Sequence, residues 1–294
     1  MPDINRPTDT QHRASILVTG AAGNLGREVV DRLQTHGARV RRLVRHQTGP
    51  RSTVESVVGD LTDPAVVRTA LLGIDAVFFI WPLLESAPAH EVVAELMAAA
   101  PRVVYVSSTA IDDEAARQSD PIVQVHADME VLLRDVGLRP VVLRSDTLAS
   151  NARGWAAQLR AGNVIAGSDI ARTAVVDERD VADAAVAVLL APHHAQLGPS
   201  PYVLTGPEVL SRADQVAQLG AALRRRLSFQ SLPADLARSR MLADGRPERL
   251  VEALLAASVC RPESNRTTDH VERLTGRPAG TFARWAIDHA AEFS

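Results

Sequence analysis

A chain of 294 residues with a formal net charge of −3 can bury a large core, and it has no global basic field to recruit nucleic acid or an anionic membrane surface. All 32 basic side chains are arginines, so a Walker-type phosphate loop, a Schiff-base lysine and a catalytic Tyr-x-x-x-Lys pair are excluded outright. The lone cysteine, Cys260, rules out an internal disulfide and reads as a small core hydrophobe, and no run approaches the roughly 18 apolar residues of a membrane helix, so a cytoplasmic protein is expected.

Met1 to Arg13 is polar and proline-containing and reads as part of a disordered tail over residues 1–14. The next stretch, Ser15-Ile-Leu-Val-Thr-Gly-Ala-Ala-Gly-Asn-Leu-Gly26, reads as strand, phosphate turn and helix. Ile16 to Val18 is a short apolar run of the kind buried in a parallel sheet, and Leu25, Val29, Val30 and Leu33 recur on one face of the following helix. Gly20, Gly23 and Gly26 allow a tight turn and close approach to a pyrophosphate, which the free N–H groups and dipole of the helix N-terminus attract. A dinucleotide site is therefore expected at Thr19, Gly20, Ala22, Gly23, Asn24, Leu25 and Gly26.

Beyond Gly37, strand and helix patterns alternate at short intervals, as in a parallel sheet covered on both faces. Strands are predicted at Ala38 to Val44, Val54 to Val58, Ala76 to Ile80, Val103 to Val106 and Pro140 to Leu143. Helices are predicted near Thr62 to Leu72, Pro88 to Ala100 and Pro121 to Val136. With the first strand these make a six-stranded, Rossmann-type doubly wound α/β domain over residues 15–150. Over 151–294 the pattern changes to shorter strands and alanine-rich helices, which predicts a smaller α+β substrate lobe. It includes a helix at Asp177 to Leu190 and strands at Tyr202 to Thr205 and Ser228 to Ser231.

NAD-binding sheets carry an Asp or Glu about twenty residues past the glycines, on the ribose 2′-hydroxyl. Here Val44 is followed by Arg45 and His46, and an arginine pairs with the 2′-phosphate that a carboxylate would repel. NADP(H) is thus the expected cofactor, with Arg45 its chief phosphate partner and Arg42 or His46 as a helper. Asp60, followed by Leu61, ends the third strand, where these folds meet the adenine. Trp81 and Pro82 follow the fourth strand and Ser107 and Ser108 end the fifth, at carboxyl ends where ligands of open sheets sit. Trp81 and Ser107 are assigned to the cofactor, and Pro82 and Leu84 to the substrate.

Further segments resemble the NmrA-like family, an atypical branch of the short-chain dehydrogenase/reductase superfamily. They are Val18-Thr-Gly-Ala-Ala-Gly-Asn-Leu-Gly26, Arg42-Leu-Val-Arg45, Val58-Gly-Asp-Leu-Thr-Asp63, Gly73-Ile-Asp-Ala-Val-Phe78, His126-x-x-x-Glu130, Asp177-x-x-Asp180-Val-Ala-Asp183, Thr275-Gly-Arg-Pro278 and Phe282-x-x-Trp285. The resemblance runs from about Ser15 to Phe293 and implies an NADP(H)-binding protein, either a quinone or other carbonyl reductase or a redox-sensing regulator. Family members often carry Leu-Arg-Pro after the sixth strand, whereas here Arg144 is followed by Ser145 and Asp146, which puts any borrowed substrate class in doubt.

Reducing a carbonyl needs a proton donor near the nicotinamide, and the superfamily's usual one is absent. Tyr105 lies inside a buried strand and Tyr202 in a late one, and the Tyr-x-x-x-Lys slot is filled by His126-Ala-Asp-Met-Glu130. Positions four apart share a helix face, so Glu130 is expected to orient His126 and raise its pKa, making His126 the general acid with Ser107 or Ser108 polarising the acceptor. Asp146, Asn151 and Trp155 are candidate substrate residues, the last two on one helix face. His193-His194 points its rings apart, and no metal site is expected. The leading expectation is an NADPH-dependent reductase of a small carbonyl or quinone-like compound in a specialised biosynthetic route. The alternatives are a non-catalytic NADP(H) sensor acting through a homodimer or protein partner, and a redox-neutral isomerase or cyclase on the same fold.

Overall fold

A computed structural model describes residues 13–46, 54–191, 200–264 and 266–294; the expected tail up to residue 12 and the His193-His194 pair lie outside the described residues. Strands β1 (Ser15–Val18), β2 (Arg39–Val44), β3 (Glu55–Val58), β4 (Ala76–Phe79), β5 (Arg102–Ser108) and β6 (Val141–Ser145) fall within a residue or two of the sequence pattern. Later in the chain come β7 (Val164–Gly167), β8 (Tyr202–Leu204) and β9 (Ser228–Ser231). The main sheet is parallel and seven-stranded, in the order β3-β2-β1-β4-β5-β6-β8. The expected six strands are thus joined by β8, because Tyr202 to Leu204 pairs with Leu143 to Ser145 and covers an otherwise open edge.

Strand residues alternate between the two faces of this sheet. Ile16, Val18, Phe78, Val104 and Leu143 face α1 (Asn24–Thr35) and a later helix, while Leu17, Val77, Phe79, Val103 and Tyr105 face α2 (Pro64–Leu71), α3 (Ala89–Ala99) and α4 (Pro121–Asp135). Asp63 caps α2 and Asp120 caps α4, each accepting backbone N–H bonds ahead of a proline at the first helical position.

After the short α5 (Ala156–Ala161), α6 (Glu178–Leu190) returns to pack on α1. Beyond it, α7 (Arg212–Leu223), α8 (Ala234–Ala243), α9 (Glu248–Cys260), α10 (His270–Thr275) and α11 (Phe282–Asp288) complete the chain. β7 and β9 form a small parallel pair, beside a separate core in which Phe282, Trp285 and Phe293 are nearly fully buried. The family-like motifs late in the chain fasten α10 and α11 to α6. Arg277 pairs with Asp180 (2.6 Å) and with Asp183, and Asp180 also accepts the Gly280 N–H. Cys260, expected in the core, is exposed at the end of α9, where the helix runs out toward solvent and Val259 is 82% exposed. No helix among the described residues is long and apolar enough to cross a membrane.

Candidate active site

Strand order reverses between β1 and β4, and a cleft of about 940 Å³ opens along the carboxyl ends of the main sheet. One end is the glycine turn. Gly20 adopts φ +62°, which a side chain would strain, and a Cβ on Gly26 would lie 2.2 Å from the Gly20 carbonyl oxygen. The first intrahelical bond of α1 runs from Arg27 N–H to Gly23 O, so the N–H groups of Asn24, Leu25 and Gly26 keep no intrahelical acceptor. With no side-chain cap at Gly23, this helix end is open to an anion.

Thr19, Ala22 and Leu61 line the cleft as expected, but the Thr19 hydroxyl is engaged. It donates to Ile80 O (2.9 Å) and accepts from Ile80 N–H (2.8 Å), tying the ends of β1 and β4 together. Asp60 Oδ1 accepts the Thr62 N–H and hydroxyl, at 2.8 and 2.9 Å, and these bonds, with Arg45 nearby, hold its carboxyl below the usual range. Arg42 is spent on Ser56 Oγ (2.9 Å), which removes it as a helper. Arg45 lines the cleft at the end of β2, exposed and without a hydrogen-bond partner among the described residues.

Trp81 is corrected. It is 4% exposed, packs beside Phe79 and donates its indole N–H to Glu85 O (2.9 Å), so it belongs to the α2–α4 face of the core. Its neighbours Ile80 and Pro82 line the cleft instead, because side chains alternate along an extended backbone.

At the middle of the cleft the His126–Glu130 pairing is also corrected. Glu130 accepts from Ser107 Oγ (2.5 Å) and from both Nε and Nη2 of Arg144, at 2.9 and 2.8 Å, while Arg144 is closed on its other side by Asp113 (2.6 and 2.8 Å). His126 Nδ1 instead meets the Tyr105 hydroxyl at 3.1 Å. Burial pushes the imidazole down to about 4; Glu130 opposes this, but more weakly than desolvation. Burial also pushes the Tyr105 hydroxyl up, so it stays protonated; where that proton is donated to Nδ1, a neutral His126 carries its own on Nε2. Ser107 gives its only proton to Glu130, whereas the Ser108 oxygen accepts Ala110 N–H (3.2 Å) and keeps its own proton to donate.

The neutral imidazole has a pH signature. Because its folded pKa lies below the unfolded value, the unfolded chain binds more protons, and stability falls as pH drops from about 6.5 to about 4. His126→Gln removes that slope. Urea unfolding at pH 7 and pH 4.5 should show the variant losing less than wild type by about 2 kcal/mol. Equal losses would mean that the imidazole is charged in the folded chain.

The far end of the cleft is closed by segments distant in sequence. Asp146, 7% exposed, accepts from Thr109 Oγ1 (3.1 Å) and Ser264 Oγ (2.8 Å), so the stretch after α9 is clasped over β6. Arg261 anchors the same stretch through Asp120 (2.7 Å). Asn151 lines the cleft, but residues Ala149–Trp155 form a 3₁₀ helix, and with three residues per turn Trp155 leaves that face. Trp155 lies under the guanidinium of Arg212, and Leu84 lies on a separate groove beside α9. Sequence reasoning missed Tyr105 as the partner of His126, Arg144 as the clamp on Glu130, and Thr173, Arg261 and Arg266 as cleft residues. Only Arg144 had left a trace, in the altered segment after the sixth strand.

Residues 20–192 match the NAD(P)H-binding family. The chain is 36% identical over 293 residues to a (4-alkanoyl-5-oxo-2,5-dihydrofuran-3-yl)methyl phosphate reductase of Streptomyces griseus, covering 95% of this chain and 99% of that one. An NAD(P)H azoreductase of Xenophilus azovorans is 29% identical over 288 residues, covering 95% and 99%. An NADPH-dependent quinone oxidoreductase of Escherichia coli, solved with NADPH, superposes with a TM-score of 0.73 at 21% identity, over 94% of this chain and 99% of that one.

Proposed function

Since the chain belongs to the NAD(P)H-binding family and is an NAD(P)H-dependent oxidoreductase, we propose that it uses NADPH to reduce a small, electron-poor carbonyl or quinone-like compound. The observation that carries the cofactor half of this reading is Arg45, a guanidinium in the cleft at the end of β2 without a hydrogen-bond partner among the described residues and with no carboxylate following it in the sequence. The residues fit the group: Arg45 takes the 2′-phosphate, and the free N–H groups of Asn24, Leu25 and Gly26 take the pyrophosphate. When bound, NADPH supplies a hydride.

Relatives named for a furanone phosphate ester and for azo compounds support a conjugated, electron-poor acceptor. Ser108 O–H and the neutral His126 Nε2–H are the donors that line the cleft beyond β5, and they stabilise negative charge developing on the acceptor heteroatom. The final proton comes from water, because His126 is neutral and Tyr105 holds its proton tightly. The purified chain should oxidise NADPH in the presence of quinones and α,β-unsaturated carbonyl compounds. Arg45→Ala should raise the KM for NADPH at least about tenfold and leave that for NADH within about twofold. Failure to oxidise NADPH with any such acceptor refutes the reaction, and tighter binding of NADH than NADPH refutes the cofactor preference.

A further inference from the structure

We propose that Asp146 supplies the negative charge that stabilises the oxidised, cationic nicotinamide of bound NADP⁺, and so makes bound NADPH a stronger hydride donor; this rests on the reading that places Arg45 at the adenosine end of the cofactor. Asp146 directly follows β6 and lines the cleft while only 7% exposed. It stands where the chain departs from the Leu-Arg-Pro pattern, so that departure puts a buried acid into the cleft wall. Its backbone is fixed by the bond from its N–H to Leu204 O (3.0 Å) on β8. Its carboxylate accepts from Thr147 N–H (2.6 Å) at Oδ1 and from Thr109 Oγ1 (3.1 Å) and Ser264 Oγ (2.8 Å) at Oδ2. All three donors are neutral.

No arginine answers this charge. Asp120, Asp177, Glu178 and Asp180, the other buried carboxylates among the described residues, each lie against a guanidinium: Arg261 at 2.7 Å, Arg179 at 2.6 Å, Arg153 at 2.9 Å and Arg277 at 2.6 Å. Asp146 has no ion-pair partner among the described residues. The charged groups around it leave no surplus cation either. Arg144, on the same strand, is shared by Glu130 and Asp113, and Arg261, on the strap, is taken by Asp120. Glu263 and Arg266 are exposed at the cleft mouth and opposite in sign, and His126 is neutral. A carboxylate buried without a cation destabilises the empty site, and a ligand that brings positive charge offsets that cost.

The topology brings such a charge to this side of the sheet. A dinucleotide crosses the switch point with its pyrophosphate on the glycine turn after β1. With Arg45 at the end of β2 holding one half, the nicotinamide half extends over β4, β5 and β6, whose ends put Ile80, Ser108 and Asp146 on the cleft wall. Neighbouring strands lie about 4.8 Å apart, so β6 runs about 10 Å from β4. At an effective dielectric constant of about 20, unit charges within about 12 Å of one another change a binding constant tenfold or more. Hydride loss takes both electrons of a C–H bond to the acceptor and leaves one positive charge on the ring. The Asp146 carboxylate therefore favours the oxidised cofactor and the transition state partway to it, while the uncharged reduced ring gains nothing.

The test uses the full chain and titrates NADPH by fluorescence and NADP⁺ by calorimetry. Asp146→Asn keeps the shape and removes the charge, and it should raise the ratio of the NADP⁺ to the NADPH dissociation constant about tenfold. Asp146→Ser supplies the neutral side chain if Asp146→Asn does not fold. Ser264→Ala opens the same clasp but keeps the charge, and it should leave the ratio within about twofold of wild type. A ratio that neutral variants leave within twofold, or that Ser264→Ala raises equally, overturns the proposal, since a merely structural clasp affects both cofactor forms alike. A chain whose ratio moves as expected but which reduces no acceptor keeps this role for Asp146 and loses the reductase reading; a chain that reduces acceptors with an unchanged ratio does the reverse.

Discussion

Gly26→Ala should abolish cofactor binding, raising the dissociation constant for NADPH at least about a hundredfold, or some 2.7 kcal/mol. The added Cβ meets backbone rather than mobile side chains: Gly20 O at 2.2 Å, Gly20 C at 2.7 Å and Ala21 Cα at 2.8 Å. Relief requires α1 to move off the loop, yet Leu25, Val29, Val30 and Leu33 hold that helix in the core. Overpacking of this kind costs about 1–3 kcal/mol of stability, and it also carries the Asn24, Leu25 and Gly26 N–H groups away from the pyrophosphate. Fluorescence titration of NADPH and urea unfolding read the two effects separately. A variant that binds NADPH within threefold of wild type would show that the turn does not hold the phosphates.

Glu178→Ala should be the most destabilising single change in the second half of the chain, at about 3–5 kcal/mol. Glu178 is 0% exposed at the start of α6. Its carboxylate accepts from Ser150 N–H (3.1 Å), Arg153 Nη1 (2.9 Å) and the Trp285 indole N–H (3.1 Å). One side chain therefore joins α6, the 3₁₀ helix on the cleft wall and α11. Its removal strands an indole N–H and a backbone N–H away from water and leaves the Arg153 guanidinium to Glu292. Glu178→Gln keeps the shape and part of the bonding and should lose less, about 1–2 kcal/mol. Urea denaturation of the three chains provides the comparison, and a loss below about 1 kcal/mol for the alanine variant would mean that water replaces the carboxylate.

Most of the fold was legible because its signals are local. Ile16 to Val18 and Ala76 to Phe79 are short apolar runs, Asp63-Pro64 and Asp120-Pro121 announce helix starts, and the glycine turn sits between strand and helix. Six of the seven sheet strands follow from this alternation. β8 was seen as a strand but not as part of the sheet, since its partner β6 lies some sixty residues earlier and nothing local names the pairing. The candidate site divides in the same way. Gly20, Gly26 and Arg45 read directly from spacing, because the backbone they sit on dictates their place.

His126 and Glu130 show where spacing stops. Their positions four apart are real, but Arg144 from β6 and Ser107 from β5 outbid the imidazole for the carboxylate, and burial reverses the expected direction of the His126 pKa. Trp81 went to the core because alternation around an extended backbone decides its side, and Trp155 left the cleft because a 3₁₀ turn replaced an α-helical one. The sequence by itself determined the α/β alternation, the dinucleotide turn, the arginine in place of an acid at the end of β2 and the absence of a Tyr-Lys pair, all properties of residue type and short spacing. Only the tertiary structure decided which protons are available, which carboxylates are spent and which arginines are left unmatched, because desolvation and ion pairing depend on groups that folding brings in from distant parts of the chain.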